Sequence, residues 1–456
     1  MRNLTIDSIV AVTGGELVNA GKGSSEEAAG VVIDSRKVEP GYIFIATKGN
    51  RVDGHDYIDQ VFQKGALAVV CEKVPQNPAG PVIRVNDSFK ALTAIATYYR
   101  QQLSCRIVGI TGSVGKTSTK EFIAGVLEQH YKVLKTEGNF NNEIGVPLTI
   151  LRISEDTEVA VVEMGINHFG EMTGLTEIVH PDIAVITNIG TCHLEFLGDR
   201  DGVLRAKTEI FAGLNEGGRV VINGDDDKLA TINEVKGIKP VKFGLDKDGN
   251  DLNWYADNIV SKGLLGSSCH IVNADNSFEA FVPLPGRHMV YNALAASAVA
   301  TILNMTSDEI ARGIESVKAM SGRSNIIESA GNIIIDDCYN ANPVSVRAAI
   351  DLLTLADNRK VAVLGDMFEL GSEEAILHRK VGEYAAGRVD TLVCIGALSK
   401  NTYEGAAGVD AYHYDSVEDA LKELPSIVGS GSSVLVKASH SMGFDRIVAA
   451  LTENNK

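Results

Sequence analysis

Residues 105–118 read CRIVGITGSVGKTS, an apolar run that leads into a glycine-rich loop. The apolar run predicts a buried strand, and TKEFIAGVLEQH (119–130) predicts a helix directly after the loop. A glycine-rich loop between a strand and a helix is typical of a phosphate site, because backbone N–H groups and the helix N-terminus point at the anion. The predicted phosphate-binding residues are Gly112, Ser113, Val114, Gly115, Lys116, Thr117 and Ser118.

The loop departs from the strict GxxxxGK[ST] pattern at its first position, which is Ile110 and not glycine. The rest of the pattern is intact, so Lys116 is expected to neutralise the β- and γ-phosphates and the Thr117 hydroxyl to bind Mg²⁺. A GTPase would also carry an NKxD motif, but Asn188, at a predicted strand end, is followed by isoleucine and glycine. We therefore expect ATP and Mg²⁺ as the cofactors.

Seven further apolar runs resemble residues 105–111 and alternate with helical patterns such as VSVRAAIDLL (344–353). Runs that are apolar throughout are typical of parallel strands whose two faces are both covered by helices. The sequence therefore predicts an α/β fold with mainly parallel sheets. The runs lie at 159–165, 183–190, 219–224, 332–337, 361–366, 391–396 and 433–439.

The order of these patterns along the chain predicts three domains. The first covers 1–85 and ends in the turn-rich segment PQNPAGP. The second covers 86–317 and contains the phosphate loop, and the third covers 318–456 and has its own series of strands. At ~100–200 residues per domain, a chain of 456 residues is consistent with this division.

The composition is that of a globular protein, with 45% hydrophobic residues and a net charge of −17. The acidic balance argues against broad nucleic-acid binding. No run approaches the ~20 apolar residues of a membrane-spanning helix, and the N-terminus lacks a signal-peptide core. The six cysteines are scattered and form no CxxC pair, so we expect reduced, mostly buried thiols and a cytoplasmic protein without membrane insertion.

Two polar residues follow apolar runs of the second block, at the kind of position where ligands bind in open α/β sheets. Glu163 follows the apolar residues 159–162 and is a candidate magnesium ligand; the alternative is a loop salt bridge. His193 lies beyond the run 183–190 and could bind a metal or a phosphate, although a lone histidine is more often structural.

Lys207 interrupts the apolar face of a predicted helix, GVLRAKTEIFAGL (202–214). It shares that face with Val203, Ile210, Phe211 and Leu214. Its long stem could carry the charge to solvent, or the amine could be buried, with a depressed pKa and open to modification. Periodicity alone leaves both alternatives open.

The third block carries a polar cluster, DDCYNANP (336–343), between a predicted strand and a predicted helix. Pro343 suits the first turn of that helix, and capping would explain one or two of the polar residues but not five. GDMFELG (365–371) repeats the arrangement at the next strand end, and LPGRHMVYNALAA offers His288 and Asn292 as groups that could contact a base. The five polar residues are Asp336, Asp337, Tyr339, Asn340 and Asn342.

The motifs resemble those of the Mur ligase family in their order along essentially the whole chain: TGSVGKT, VVEMG, NNEIGVP, RAKTEIF, PGRHMVYNALAA, GRSN, DDCYNANP and GDMFELG. The first block, with DSRKVEPGYIFIATKGNRVDGHDY, resembles the member that adds D-alanyl-D-alanine to UDP-MurNAc-tripeptide, as does DDCYNANP. The resemblance implies a UDP-substrate domain, a central P-loop ATPase domain and a C-terminal Rossmann-like domain that binds the incoming dipeptide. It implies an ATP-dependent ligase of peptidoglycan synthesis, and we expect it to act as a monomer.

The same resemblance implies residue roles. Ser35 and Arg36 would face the UDP-sugar, and Asn141 and Asn142 would line the substrate cleft. The residues that would hold the nucleotide, besides the phosphate loop, are Asn292, Arg323, Asp337 and Tyr339.

Catalysis is assigned by the resemblance to Lys116, Glu163, His193 and Lys207. Glu163 and His193 would serve the magnesium sites together with Thr117. Lys207 matches a lysine that is carbamylated in related ligases, and the resulting anion would position Mg²⁺ as a further metal ligand.

One segment departs from the family pattern, because many relatives read KGSR near the C-terminus where this chain has KASH (437–440). Histidine is a weaker, pH-dependent anion partner, so the residues that bind the dipeptide's carboxylate stay open. The alternatives are a ligase of the same fold that adds meso-diaminopimelate or L-lysine, a folylpolyglutamate-type synthase, or a catalytically silent regulator. The intact lysines 116 and 207, with Glu163 and His193, argue against the silent regulator.

Overall fold

The computed structural model describes residues 1–19, 25–49 and 52–453. The chain divides into two compact units that are each built from two separate stretches of sequence. The first unit consists of residues 1–255 and 294–313, and the second of residues 256–293 and 314–456. The three domains expected from the sequence, with boundaries after residues 85 and 317, stay a prediction.

The first unit begins with a five-stranded sheet formed by β1 (Glu16–Val18), β2 (Gly30–Val32), β3 (Tyr42–Ile45), β4 (Ala68–Cys71) and β5 (Val82–Arg84). The strand order is β1-β5-β4-β3-β2, and only β1 is antiparallel to its neighbour. The helices of this region are α1 (Ile6–Thr13), α2 (Ile58–Gln63) and α3 (Ser88–Gln102). Helix α3 begins after Asp87, whose carboxylate accepts hydrogen bonds from two N–H groups of the first turn.

The second sheet of this unit is parallel and contains β6 (Arg106–Thr111), β7 (Val133–Lys135), β8 (Val159–Glu163), β9 (Ile183–Ile186), β10 (Arg219–Asn223) and β11 (Val241–Gly244). The strand order is β11-β10-β9-β6-β8-β7. The helices between the strands are α4 (Lys116–Leu127), α5 (Gly145–Leu151), α6 (Glu171–Val179), α7 (Leu194–Leu197) and α8 (Arg200–Thr208). Strand β12 (Trp254–Ser261) pairs with β11 through Trp254 before the chain enters the second unit.

Strand β6 lies between β8 and β9, and this register decides where the site forms. Ile110 of β6 pairs with Glu163 on one side and with Val185 on the other. Because the three strands are parallel and in register, the segments after them leave the sheet at the same edge. The phosphate loop, Glu163 and the segment 187–193 therefore emerge side by side.

The second unit holds the hairpin β13 (Ser267–Asn273) and β14 (Ser277–Val282), and a sheet of β15 (Asn325–Ser329), β16 (Asn332–Asp336), β17 (Arg359–Gly365), β18 (Thr391–Ile395), β19 (Asp410–Tyr414) and β20 (Ser432–Lys437). The sheet order is β15-β16-β20-β17-β18-β19, and only β15 is antiparallel to its neighbour. Two apolar clusters, one on each face, share the strands of this sheet. Helices α9 (His288–Ile302) and α10 (Ser307–Glu315) belong mostly to the first unit, which includes residues 294–313. The other helices of the second unit are α11 (Pro343–Leu353), α12 (Glu374–Ala385), α13 (Lys400–Gly405), α14 (Val417–Val428) and α15 (Asp445–Glu453).

The predicted α/β class is confirmed, and each of the eight apolar runs forms a strand. The helices expected at 119–130 and 344–353 are α4 and α11. The helix expected at 202–214 is shorter, because α8 ends at Thr208 and a single 3₁₀ turn, Glu209–Phe211, follows it.

The cysteines and the helices bear on two further expectations. All six cysteines are free, and Cys71, Cys105, Cys269 and Cys394 are buried, as expected for reduced thiols. In the part of the chain that the structure describes, no helix has the length and apolar character needed to cross a membrane.

Candidate active site

The phosphate loop connects β6 to α4, and two of its glycines are required by the backbone. Gly112 has a φ of 152°, and a Cβ at this position would lie 1.9 Å from Thr187 Oγ1. Gly115, with a φ of 80°, precedes the first residue of α4. Ile110, which departs from the usual loop pattern, belongs to strand β6 and is fully buried. The missing glycine therefore falls within the strand, and the loop itself keeps its two essential glycines.

Lys116 and Thr117 open helix α4, so both lie at its positive end. The Lys116 ammonium folds back over the loop and donates a hydrogen bond to the Gly112 carbonyl at 2.9 Å. Thr117 is buried, with 2% of its surface exposed. This arrangement places a fixed cation and a hydroxyl beside the backbone that would surround a phosphate.

The segment after β9 supports the loop through contacts that the sequence analysis missed. Thr187 donates its hydroxyl to the Val114 carbonyl at 2.7 Å, and the Asn188 amide accepts from the Val114 N–H and donates to its carbonyl, both at 3.0 Å. The Ser113 N–H donates to the Asn188 carbonyl at 3.0 Å. Asn188, considered above only as part of an absent guanine motif, is thus a support of the phosphate loop.

Glu163 ends β8 with its carboxylate almost fully buried. Asn141 donates its side-chain amide to Oε1 at 2.9 Å, whereas Oε2 is buried without a hydrogen-bond partner. The nearest cation is Lys120 of α4, whose Nζ lies 3.9 Å from Oε2. A buried carboxylate oxygen without a hydrogen bond is suited to a divalent cation, because Mg²⁺ prefers oxygen ligands.

Lys120 is a second residue that the sequence analysis missed. Its side chain is fully buried, donates to the Thr136 carbonyl at 2.7 Å, and lies 3.1 Å from Glu121 Oε1. It therefore provides the positive charge behind Glu163 from the same helix that carries the phosphate loop.

Lys207 is buried on α8, with 1% of its surface exposed, which decides between the two alternatives that periodicity left open. Burial lowers the pKa of its amine to about 7, and the charge of Lys116 adds to this shift. His193 precedes α7 with a φ of 53°. Burial, followed by the charges of Lys207 and Lys116, lowers the pKa of its imidazole to about 4. At pH 7 the imidazole is therefore neutral and able to accept a hydrogen bond or bind a metal.

Of the predicted metal ligands Thr117, Glu163, His193 and Lys207, only Glu163 and His193 are of the residue types that usually build closed protein metal sites. Across residues 1–19, 25–49 and 52–453, no group of three or more His, Cys, Asp or Glu side chains is arranged to hold a metal. Mg²⁺ in nucleotide sites is commonly bound by one or two protein groups, with phosphates and water completing its shell. The single open carboxylate oxygen of Glu163 fits that mode.

The predicted substrate residues of the first unit have mixed local roles. Asn141 orients Glu163, whereas the Asn142 side chain accepts a hydrogen bond from the N–H of Gly145, the first residue of α5, at 2.9 Å. Ser35 and Arg36 follow β2, and the Arg36 side chain is 87% exposed. Arg36 lies 2.8 Å from Asp34 and lowers the pKa of that carboxyl to about 2. Their contact with a UDP-sugar stays a prediction.

In the second unit, the polar cluster after β16 forms a small network. Asp337 accepts from Lys437 Nζ at 2.6 Å and from the Ser324 N–H at 2.9 Å. The Arg323 guanidinium lies 4.1 Å from the centre of the Tyr339 ring, which stacks aslant with the His440 ring at 5.2 Å. Three of the four predicted nucleotide residues outside the phosphate loop therefore belong to this network.

The other polar residues of this cluster shape the backbone. Asp336 accepts from the Gly322 N–H at 2.7 Å, and Asn342 caps α11 through the Ser345 N–H, with Pro343 in the first turn as predicted. Asn292, the fourth predicted nucleotide residue, lies in α9 and is 7% exposed.

The two ends of the KASH segment differ, because Lys437 is buried and His440 is exposed. Lys437 is 3% exposed and donates to Asp337 and to the Asn340 carbonyl, so its charge is used internally. His440, at the other end of the segment, is exposed beside Tyr339. His440 is therefore the residue of this segment that is accessible to a ligand.

A parallel sheet whose edge brings together a phosphate loop, an open buried carboxylate and a buried lysine defines a nucleotide-dependent enzyme of the P-loop class. Three family models match the chain: "Mur ligase family, catalytic domain" over residues 27–100, "Mur ligase middle domain" over 110–300, and "Mur ligase, glutamate ligase domain" over 322–440. The chain belongs to the Mur ligase family, as the motifs predicted. The enzymes of this family are ATP-dependent ligases that form amide bonds, which is the class of enzyme that the sequence predicted.

Similarity to individual proteins extends over the whole chain. It is 37% identical to the UDP-N-acetylmuramoyl-tripeptide–D-alanyl-D-alanine ligase of Bacillus subtilis, over 99% of this chain and 98% of the relative. The Escherichia coli enzyme of the same name is 36% identical, over 100% and 99%. Crystal structures of MurF from Acinetobacter baumannii and of MurF from Thermotoga maritima in complex with ADP are each 32% identical, with TM-scores of 0.89 and 0.80. The matched shares are 99% of both chains for the first structure, and 92% of this chain and 96% of the other for the second.

Proposed function

We propose that this protein joins D-alanyl-D-alanine to UDP-MurNAc-tripeptide and converts ATP to ADP and phosphate in the process. The observation that carries the proposal is the full-length similarity to relatives of that name, which includes the first block with Ser35 and Arg36. The product would be UDP-MurNAc-pentapeptide for peptidoglycan synthesis. The structure supports the proposal through a site that suits phosphoryl transfer to a carboxylate.

The reaction has two steps. The terminal carboxylate of the tripeptide attacks the γ-phosphorus of ATP, ADP leaves, and an acyl phosphate forms. The amine of D-alanyl-D-alanine then attacks the acyl carbon, loses a proton, and phosphate leaves as the amide bond forms. Lys116 balances the charge that develops on the transferred phosphoryl group, and the loop backbone N–H groups position it.

Magnesium would be held on the protein by Glu163, Thr117 and His193. The open Glu163 oxygen, the buried Thr117 hydroxyl and the neutral His193 imidazole are donors of the required kind. The ion would neutralise phosphate charge during transfer. Asn141 keeps the Glu163 carboxylate oriented by its hydrogen bond at 2.9 Å.

Nucleotide binding by Asn292, Arg323, Asp337 and Tyr339 is a further part of the proposal. The Tyr339 ring and the Arg323 guanidinium, 4.1 Å apart, form a flat surface suited to a base. We also propose that the enzyme acts as a cytoplasmic monomer, which is supported by its six free thiols and by the presence of all these groups on one chain.

Release of ADP and phosphate is expected to require both peptide substrates. Purified enzyme is supplied with ATP, Mg²⁺ and either tripeptide nucleotide, with L-lysine or meso-diaminopimelate at the third position, and the acceptor is varied. D-Alanyl-D-alanine should support turnover, whereas meso-diaminopimelate, L-lysine and glutamate should not. ATP turnover that is indifferent to the peptides would contradict the proposal, and preference for another amine would identify a different ligase.

We propose that the Lys207 amine is able to form a carbamate, the modification that the family resemblance implied for this position. Because burial lowers the pKa of its amine to about 7, more of the amine is unprotonated at neutral pH than in an exposed lysine, and this fraction rises with pH. The neutral amine attacks CO₂, an N–C bond forms, and one amine proton goes to solvent. Enzyme in ¹³C-bicarbonate at pH 8 should show a carbamate resonance that Lys207→Met lacks, and removal of CO₂ should lower activity several-fold.

Bicarbonate should then restore the activity of wild-type enzyme but not of Lys207→Met. Lys242→Met is the matched control, because Lys242 is also buried but lies on β11 and donates to the Ala230 carbonyl. Wild-type enzyme without the resonance, and with full activity in CO₂-free buffer, would show that Lys207 acts as a free amine.

A further inference from the structure

We propose that Arg200 and Asp226 are positioning residues for the phosphate loop. Together they bind the peptide groups on both sides of Ile189. The residues next to Ile189 are hydrogen-bonded to Ser113 and Val114, so fixing Ile189 also fixes these two loop residues. Neither residue belongs to the predicted site, and the proposal rests on the proposed function only in that the loop binds the phosphates of a nucleotide.

Arg200 and Asp226, which together we call the Ile189 clamp, bind both backbone polar groups of Ile189. Asp226 Oδ2 accepts a hydrogen bond from the Ile189 N–H at 2.8 Å. Arg200 donates to the Ile189 carbonyl twice, from Nε at 3.0 Å and from Nη2 at 2.9 Å. Because Ile189 is 1% exposed, these bonds replace the water that its backbone would otherwise contact.

The Asp226 side chain is itself fixed by further hydrogen bonds. The other oxygen of Asp226 accepts from the N–H groups of Lys228 and Leu229, each at 3.0 Å, so the carboxylate cannot turn without losing bonds. Arg200 is the first residue of α8 and forms a two-point ion pair with the exposed Asp227. The clamp therefore ties Ile189 to the segment after β10 and to the helix that carries Lys207.

The residues on either side of Ile189 contact the phosphate loop directly. Asn188 bonds to both backbone groups of Val114, and the Gly190 N–H donates to Ser113 Oγ at 2.8 Å. Strand β9 ends at Ile186, so the sheet ladder stops before this segment. A shift of the Ile189 peptide would consequently move Asn188 and Gly190, and with them the part of the phosphate loop formed by Ser113 and Val114.

Such a shift should weaken nucleotide binding as well as turnover. Displacement of a positioned group by about 1 Å can lower a rate by about 10²-fold. In full-length enzyme, Asp226→Ala and Arg200→Ala are expected to raise the Kd for ADP, measured by calorimetry without peptide substrates, by about 10-fold or more. The same variants should raise KM for ATP with a smaller change in KM for D-alanyl-D-alanine.

Asp227→Asn is the matched control. It removes the exposed partner of Arg200 but leaves all three bonds to Ile189, so the Kd for ADP should stay within about twofold of wild type, as expected when an exposed ion pair is lost. Thermal unfolding of every variant identifies preparations that are folded at the assay temperature. A clamp that only stabilises the fold would lower the unfolding midpoint and leave the Kd of folded enzyme unchanged.

Arg200→Lys decides the question if the alanine variants do not fold. Lysine keeps the charge near Asp227 but replaces two parallel donors with one, so an increase of about threefold or more in the Kd for ADP is expected. Folded variants with a wild-type Kd, or an Asp227→Asn effect equal to that of Asp226→Ala, would overturn the proposal. Because the assay contains no amine, an error in the proposed acceptor would not affect its outcome.

Discussion

Replacement of Lys116 by alanine is expected to lower kcat by about 10²–10³-fold, the usual effect of removing one preorganised charge-stabilising donor. The ammonium is held over the loop by its bond to the Gly112 carbonyl at 2.9 Å, beside the backbone that would surround the phosphates. The change should leave the unfolding midpoint close to that of wild type, because the bond is local. Initial rates of ADP release at saturating substrates measure the effect.

A second measurement on Lys116→Ala tests how the charge of Lys116 affects the pKa values of nearby groups. Lys116 lowers the pKa of His193 and of Lys207 by its proximity, although burial is the larger cause in both. Removing that charge should therefore raise both pKa values, and the His193 imidazole should titrate above its value of about 4 in an NMR titration. Lys90→Ala, at an exposed position on α3, should change neither kcat nor this titration. Full activity of Lys116→Ala would show that this lysine of the phosphate loop takes no part in the reaction.

The parallel sheets and the position of the phosphate loop could be predicted from sequence, because both depend on local patterns. A strand buried on both faces is apolar throughout, and a strand–loop–helix with the right glycines binds phosphate. Ile110 illustrates the limit of such patterns. It departs from the loop motif, but it belongs to strand β6 and not to the loop.

The supports of the site could not be predicted in this way. Asn188 and Val114 are 74 residues apart in sequence, and Arg200 and Asp227 are 27 apart, so no local periodicity links them. Lys207 was ambiguous for a related reason: whether a lysine on an apolar face reaches solvent depends on the elements packed around it. Lys120 does not depart from any sequence pattern, because a lysine near the start of a helix is usually exposed. Its burial is therefore visible only in the structure.

Lys120→Met is expected to destabilise the fold by about 3–5 kcal/mol, the usual effect of removing one partner of a buried ion pair. Methionine keeps most of the volume but removes the charge that lies 3.9 Å from Glu163 Oε2 and 3.1 Å from Glu121 Oε1. Glu121 also pairs with Lys135, whereas Glu163 is left as a buried carboxylate with its hydrogen bond from Asn141. Urea unfolding without nucleotide or Mg²⁺ measures the loss.

Two further variants identify the cause of that loss. Lys135→Met removes a partly exposed partner of the same glutamate and should change stability by only about 0–1 kcal/mol. Adding Glu163→Gln to Lys120→Met should recover part of the stability, because the unpaired buried charge is then gone. A double variant as unstable as the single one would place the effect in packing or in the bond to Thr136. Recovery would show that Lys120 of α4 supplies the positive charge that compensates the buried Glu163 carboxylate.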